Sequence, residues 1–264
     1  MISFKRSVVS TSGFPGRMMP IGMLAVALTA GTSAAATITW QSPATVSSTS
    51  ILDSIPSAYS GATLSQSVYF GHDTSTYSVT TPEPQTINFT HGSASYSGPS
   101  GSATELFYSG PQKISGVTNP TSDTNFNNVL LNDGWASSGH SYSPQTLQIG
   151  GLTTGTKYAI ELLAFDGRSS SSARTEEFAD TVNATGNNST SFSTYTAHSV
   201  IGTFTAGAST QDVYVWQTTT GVSSWDTTVS AFTLYALPAP EPATLGMLAI
   251  GGMGLLLAGR RKKA

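Results

Sequence analysis

From Thr37 to Leu237, apolar residues come in short alternating runs separated by Gly, Asn, Asp, Ser and Thr. No stretch of this body keeps the helical period of about 3.6 residues over several turns, whereas strict alternation recurs. Eight runs read as strands bounded by turn residues: "TITW", "QSVYFG", "QTINFTHG", "QTLQIGGL", "KYAIELLAFD", "SVIGTFTAG", "DVYVWQTT" and "SAFTLYAL". In "KYAIELLAFD", Tyr158, Ile160, Leu162 and Ala164 share one strand face and Glu161 falls on the other. In "QTLQIGG", Leu147 and Ile149 share a face. The stretch "NNVLLNDGW", Asn127–Trp135, reads as one short helix or a turn. Many short strands joined by turn chemistry predict an all-β fold, an antiparallel β-sandwich.

Two terminal segments break the alternation. At the front, Lys5, Arg6 and Arg17 precede the ten-residue apolar run Ile21–Ala30, and "TSAAA" follows. That is the layout of a secretory signal peptide, residues 1–36, with Ala34 and Ala36 at the cleavage positions and the cut before Thr37. Translation can start at Met1, or at Met18 or Met19. The apolar run is too short for a membrane anchor. At the back, Leu245–Gly259 carries no charge over fifteen residues. As a helix it spans about 22 Å, short of a hydrocarbon core of about 30 Å. Including Pro242–Thr244 and letting Arg260 snorkel closes most of the gap. The cluster Arg260, Arg261, Lys262 and Lys263 belongs on the cytoplasmic side. The two ends together predict a body outside the inner membrane and a small tail inside.

Composition sharpens this picture. Of 264 residues only 9% are charged, against about 25% in ordinary soluble domains. Seven of the eleven cations sit at the two ends. Between residues 37 and 237, Lys113, Lys157, Arg168 and Arg174 face thirteen acids, a net charge of −9. Such a surface cannot neutralise phosphates, which excludes nucleic acid as a partner. The chain has no cysteine, so disulfides, thiolate catalysis and Cys-based metal sites are excluded. The body is of a size that one large β domain can fill.

Candidate chemistry in the body is sparse. His72 and Asp73 are adjacent, but no Gly-x-Ser-x-Gly elbow occurs, and His91, His140 and His198 lack metal-ligand spacing. Glu176, Glu177 and Asp180 in "ARTEEFAD" read as a solvated turn rather than a glycosidase pair. Asp166 and Arg168 flank one glycine and read as a turn-stabilising ion pair. Asp123, Asn125 and Asn127 alternate oxygen ligands in "SDTNFNN" and are candidate calcium ligands, or else an Asx-rich turn. Asn128 and Gly134 stand where an EF-hand loop needs its glycine and bidentate glutamate. No other cofactor is indicated.

A sugar site needs an exposed aromatic platform beside amides and carboxylates. Trp135, Trp216 and Trp225 are the candidates, with Tyr142 also near a loop. In "DVYVWQTT", Tyr214 and Trp216 share one face and Val213 and Val215 the other, so one pair lines the core and the other faces away.

The segment "PEPATLGMLAIGGMGLLLAGRRKK", Pro240–Lys263, resembles the PEP-CTERM sorting signal of exported bacterial proteins. Pro240-Glu241-Pro242, a short transmembrane helix over about residues 243–259 and the basic tail 260–263 occur in order. The resemblance implies export by the Sec machinery and recognition near Pro240-Glu241-Pro242 by an integral-membrane exosortase. It further implies removal of the helix and delivery to the cell envelope or extracellular matrix of a Gram-negative type of bacterium that makes exopolysaccharide. A second Pro-Glu-Pro at Pro82–Pro84 has neither an apolar run nor cations behind it and reads as a rigid extended connection between strands. No Leu-Pro-x-Thr-Gly precedes the helix, which argues against a sortase signal.

More loosely, residues 37–237, above all "GLTTGTKYAIELLAFDGR", resemble the uncharacterised β-sandwich bodies of other such proteins. Those bodies are similar in pattern to jelly-roll, galactose-binding-like modules. The expected organisation is a signal peptide (1–36), a jelly-roll-like sandwich (37–237) and a sorting signal (238–264). The expected function is non-enzymatic, in the envelope or matrix, with exopolysaccharide as the partner of the body. A purely structural or adhesive surface protein without a sugar site is the alternative, and a secreted hydrolase ranks third.

Overall fold

The computed structural model describes residues 36–70, 74–92, 104–105, 114, 116–131, 145–168, 174–219 and 227–239. All of them belong to the unit Ser33–Ala264. The expected signal peptide apart from Ala36, the expected C-terminal helix and the basic tail lie outside the described residues.

In chain order the elements are β1 (Thr39–Trp40), β2 (Ala44–Thr45), a 3-10 turn (Thr49–Asp53) running into α1 (Ser54–Ala58), β3 (Thr63–Tyr69), β4 (Tyr77–Thr80) and β5 (Thr86–His91). Then come β6 (Thr104–Glu105), α2 (Thr124–Leu131), β7 (Gln145–Ile149), β8 (Lys157–Ala164) and β9 (Thr175–Ala179). The last are β10 (Phe192–Ser193), β11 (His198–Thr205), β12 (Gln211–Gln217) and β13 (Ala231–Ala236). The large sheet runs β1-β11-β8-β13-β3-β5-β4, with β2 also on β11, and the small sheet runs β10-β9-β12-β7-β6.

The described pairs are antiparallel apart from β3 and β5, which are parallel. The chain leaves β3 for the edge strand β4, and a hairpin returns it between them as β5, so β5 must run with β3. That hairpin holds the internal Pro82-Glu83-Pro84, closed by the Thr81 amide donating to the Gln85 carbonyl at 3.0 Å. The tripeptide is therefore a tight turn and not the extended connection expected. Prolines fit there because the loop needs no ladder N–H from them.

The main core lies between the sheets. Ile160, Leu162, Val200, Phe204, Phe232 and Leu234 of the large sheet meet Leu147, Ile149, Phe178, Val213 and Val215 of the small one. A second apolar layer covers the opposite face of the large sheet. There Tyr69, Phe89, Leu163 and Ala231 pack with Leu52 of the 3-10 turn and Phe126, Val129 and Leu130 of α2. Ile55 of α1 joins Ala159, Ile201, Tyr235 and Leu237 in a smaller cluster. Alternation placed Glu161 correctly opposite Ile160 and Leu162, but that face is covered, and every residue of β8 after Lys157 is buried.

The first strand ties the two sheets together. Trp40 pairs with Gly202 of β11, packs its ring 6.1 Å from that of Phe178 in β9, and donates its Nε1–H to the Asn187 carbonyl at 2.9 Å. The Ile38 amide donates to Asp180 Oδ2 at 3.0 Å. Gly202 makes room for this: a Cβ there would lie 2.6 Å from the Trp40 ring and 2.7 Å from Ile38. Gly202→Ala should therefore displace β1 and cost about 1–3 kcal/mol, read as a lower urea midpoint together with a change in tryptophan fluorescence of the native state.

Candidate functional site

The structure places the two faces of β12 unambiguously. Val213 and Val215 are buried in the core, while Asp212, Tyr214 and Trp216 face away from it, half-buried. The described helices pack on the other sheet. Across the ladders Tyr214 lies between Ala179 and Thr146, and Trp216 stands opposite Glu177. Gln148 Nε2 donates to Asp212 Oδ1 at 2.9 Å, and Asn188 Nδ2 donates to Glu177 Oε1 at 3.0 Å. The outer face of the small sheet thus sets two aromatic rings among amides, carboxylates and a hydroxyl. Partial burial raises the Glu177 carboxyl, partly offset by the Asn188 amide. Burial, then Asp212, raises the Tyr214 phenol. Trp135, Trp225 and Tyr142 lie outside the described residues.

The candidate calcium ligands serve α2 and its approach. Asp123 Oδ1 caps the helix by accepting from the Phe126 amide at 2.7 Å. Asn127 is buried and exchanges bonds with Thr121, its Oδ1 accepting from the Thr121 amide at 3.0 Å and its Nδ2 donating to the Thr121 carbonyl at 2.7 Å. Asn125 Nδ2 donates to the Ser78 carbonyl of β4 at 2.8 Å. The three side chains turn to three separate partners. Among the described residues no group of three His, Cys, Asp or Glu side chains could hold a metal ion.

The acids of "ARTEEFAD" do not form the solvated turn expected. Glu176 and Glu177 lie on β9, the first buried on the core side and the second half-exposed on the outer face. Asp180 anchors backbone, accepting from Ile38 and from both Asn187 nitrogens. His91 packs edge-on to Tyr69 and His198 packs on Phe192, while His72 and His140 lie outside the described residues.

Two arrangements escaped the sequence reading. The first extends the expected pair of Asp166 and Arg168. Asp166 is fully buried, accepts from Nη2 of Arg168 at 3.0 Å and from its Nε, and also accepts from Nη1 of Arg174 at 2.7 Å. The Asp166 and Gly167 amides both donate to the Thr194 carbonyl, and the Thr194 amide donates to that of Arg174. Gly167 has φ +64, and a Cβ there would run into the Phe165 ring. This brace joins the turn after β8 to the connection between β10 and β11. A cleft of about 330 Å³ opens there, its lining including Thr45, Ser47, Asn119, Phe165, Tyr195 and Thr196. Tyr195 is 46% exposed.

The second is Glu161, fully buried between the large sheet and the helical layer. Ser199 Oγ donates to its Oε1 at 2.6 Å and Thr233 Oγ1 to its Oε2 at 3.4 Å. Burial pushes its carboxyl up from 4.5 to about 7; the two hydroxyls partly offset this, and Asp53 adds repulsion.

Residues 238–262 match the family model described as the PEP-CTERM protein-sorting motif. The chain carries a PEP-CTERM sorting motif. The match takes in Pro240, Glu241, Pro242, Arg260, Arg261 and Lys262, with Lys263 one residue beyond. A PEP-CTERM motif implies an exported protein, held in the membrane before an exosortase processes it. Among the described residues no helix is long and apolar enough to cross a membrane. No curated protein matches the chain. One similar solved structure is that of the M60 catalytic domain with the CBM51-1 and CBM51-2 domains from Clostridium perfringens ZmpB, at 13% identity and a TM-score of 0.31. The likeness covers 70% of this chain and 20% of that one, and a score of that size carries no conclusion about ligand or activity.

Three variants probe these charges. Between pH 4.5 and about 7 the native state holds on Glu161 a proton that the unfolded chain releases. That contribution to stability is complete below pH 4.5 and is lost as the pH rises through about 7. The shift is equivalent to about 3 kcal/mol, so urea midpoints should fall with pH for the wild type and stay flatter for Glu161→Gln, the variant being the more stable at pH 8. Asp166→Asn takes a carboxylate from Arg174, which is 1% exposed, and should cost about 3–5 kcal/mol, whereas Arg168→Ala should cost about 1 kcal/mol or less; the same titrations at one pH separate the two.

Proposed function

We propose that this is an exosortase-sorted surface or matrix protein whose body, a jelly-roll-like sandwich without enzymatic activity, engages exopolysaccharide. The signal peptide directs export and is then removed, and the PEP-CTERM motif holds the body at the outer side of the inner membrane until an exosortase releases it to the envelope or matrix. The observation that carries the body's role is the outward pair Tyr214 and Trp216, set among Thr146, Gln148, Asp212 and Glu177. Ring faces stack on the C–H faces of sugar units, and the flanking amides and carboxylates bond hydroxyls. Of the buried acids, Asp166 is engaged by two arginines, Asp180 by the Ile38 amide and Asn187, and Glu161 by Ser199 and Thr233 beneath the helical layer.

The test is made in the host. Native protein should have lost the mass of the C-terminal helix and should fractionate with the matrix, and replacing Pro240, Glu241 and Pro242 by alanine should leave a full-length tail in the inner membrane. Intact mass and fractionation read both. A tail retained in both versions would make the protein an anchored ectodomain and remove matrix delivery from the reading.

A further inference from the structure

We propose that the cleft beside Tyr195 binds a short stretch of a neutral polysaccharide, with the Tyr195 ring as its stacking platform. The proposal rests on the exopolysaccharide reading for its ligand class but shares no residue with the β12 face. Among the described residues Tyr195 is the one aromatic side chain that is exposed, at 46%. Around it the cleft offers the hydroxyls of Thr45, Ser47 and Thr196 and the carboxamide of Asn119, all exposed, with Phe165 as an apolar wall. An apolar plane beside neutral donors and acceptors is what a sugar, with one C–H face and a rim of hydroxyls, requires. The volume of about 330 Å³ lies at the lower end of small-ligand sites, which run from about 300 to 1,000 Å³, so the occupant is a short segment of a chain.

The walls come from four separate stretches, residues 45–47, 118–120, 165–167 and 195–197. Two of these are fixed to each other by the buried Asp166 with Arg168 and Arg174, through Thr194. A buried ion cluster is a costly way to hold turns that an apolar contact would hold as well; what it adds is a pre-set geometry where Tyr195 meets solvent. No lysine or arginine lines the cleft, and the body between residues 37 and 237 carries a net charge of −9. A polyanion is repelled by such a surface, and a neutral chain is not.

The experiment is affinity electrophoresis of the mature protein from its host through gels containing galactomannan, dextran, the neutral fraction of the host's own exopolysaccharide, or alginate as a polyuronate. Wild type, Tyr195→Ala, Tyr195→Phe, Asn119→Ala and Trp216→Ala are compared, with thermal unfolding to show that each is folded. The expected result is retardation by a neutral polysaccharide, weakened about tenfold in Tyr195→Ala, weakened in Asn119→Ala and retained in Tyr195→Phe. Wild-type retardation that Tyr195→Ala keeps and Trp216→Ala loses would overturn the cleft and support the β12 face. Retardation by alginate alone would overturn the neutral ligand. A wild type retarded by none of the four would overturn this proposal and the exopolysaccharide reading together.

Discussion

Strand β8 lies between β11 and β13 with apolar cover on both of its faces, and the rest of the body is arranged around that constraint. A strand in that position has its backbone bonded on both edges and its side chains shielded above and below, which antiparallel sheets with one wet face do not need. The small sheet supplies one cover. The other is built from short pieces, the 3-10 turn with α1 and the two-turn α2, each contributing a few large apolar side chains such as Leu52, Ile55 and Phe126. Glu161 is the polar exception in this stack, and the hydroxyls of Ser199 and Thr233 from both neighbouring strands are what it has for company. With the centre of the large sheet covered on both faces, the two candidate regions lie on the outer face of the small sheet and at the strand ends.

Charge is distributed with the same economy. Between residues 37 and 237 there are four cations, and two of them, Arg168 and Arg174, converge on the one buried carboxylate of Asp166. Desolvation makes such a cluster a poor source of net stability, yet removing the Asp166 carboxylate leaves the buried Arg174 without that partner. Its bonds join the turn after β8, with Gly167 at φ +64, to the connection carrying Tyr195. A recognition surface on loops gains affinity when its shape is fixed before the ligand arrives.

The long strands were legible because alternation and turn residues are local signals. All eight runs quoted from the sequence contain or overlap described strands, and the faces assigned to Leu147, Ile149, Ile160 and Leu162 are the core faces found. For β12 the sequence left the choice of face open, since valines and aromatics bury equally well; only the opposing sheet, with Phe178 and Leu147 against the valines, decides it. The helical cover was mostly illegible. "TSILD" and "SIPSA" are too short to show a period, and α2 begins at Thr124, upstream of the stretch suspected. Two-residue strands such as β2 and β10 exist only through their pairing with β11 and β9. Arg174 and Tyr195 gain their roles from neighbours far along the chain, and no spacing rule reaches them.

The sorting tag and the body meet without a linker, and the junction is placed so that neither interferes with the other. β13 is a central strand of the large sheet, and its run of bonds continues to the Leu237 amide, which donates to the Lys157 carbonyl at 2.8 Å. Leu237 is still buried; Pro238 and Ala239 are exposed, and the matched motif begins at residue 238. Three residues from Leu237 to Pro240 span about 10 Å at full extension, so on the proposed anchoring the folded body is held close to the membrane surface before processing. On the proposed processing, a cut near Pro240 removes no residue of the described core and no bond of the described ladders. The body that leaves the membrane is then the same folded sandwich that was tethered to it, with its outer sheet face and its cleft already formed.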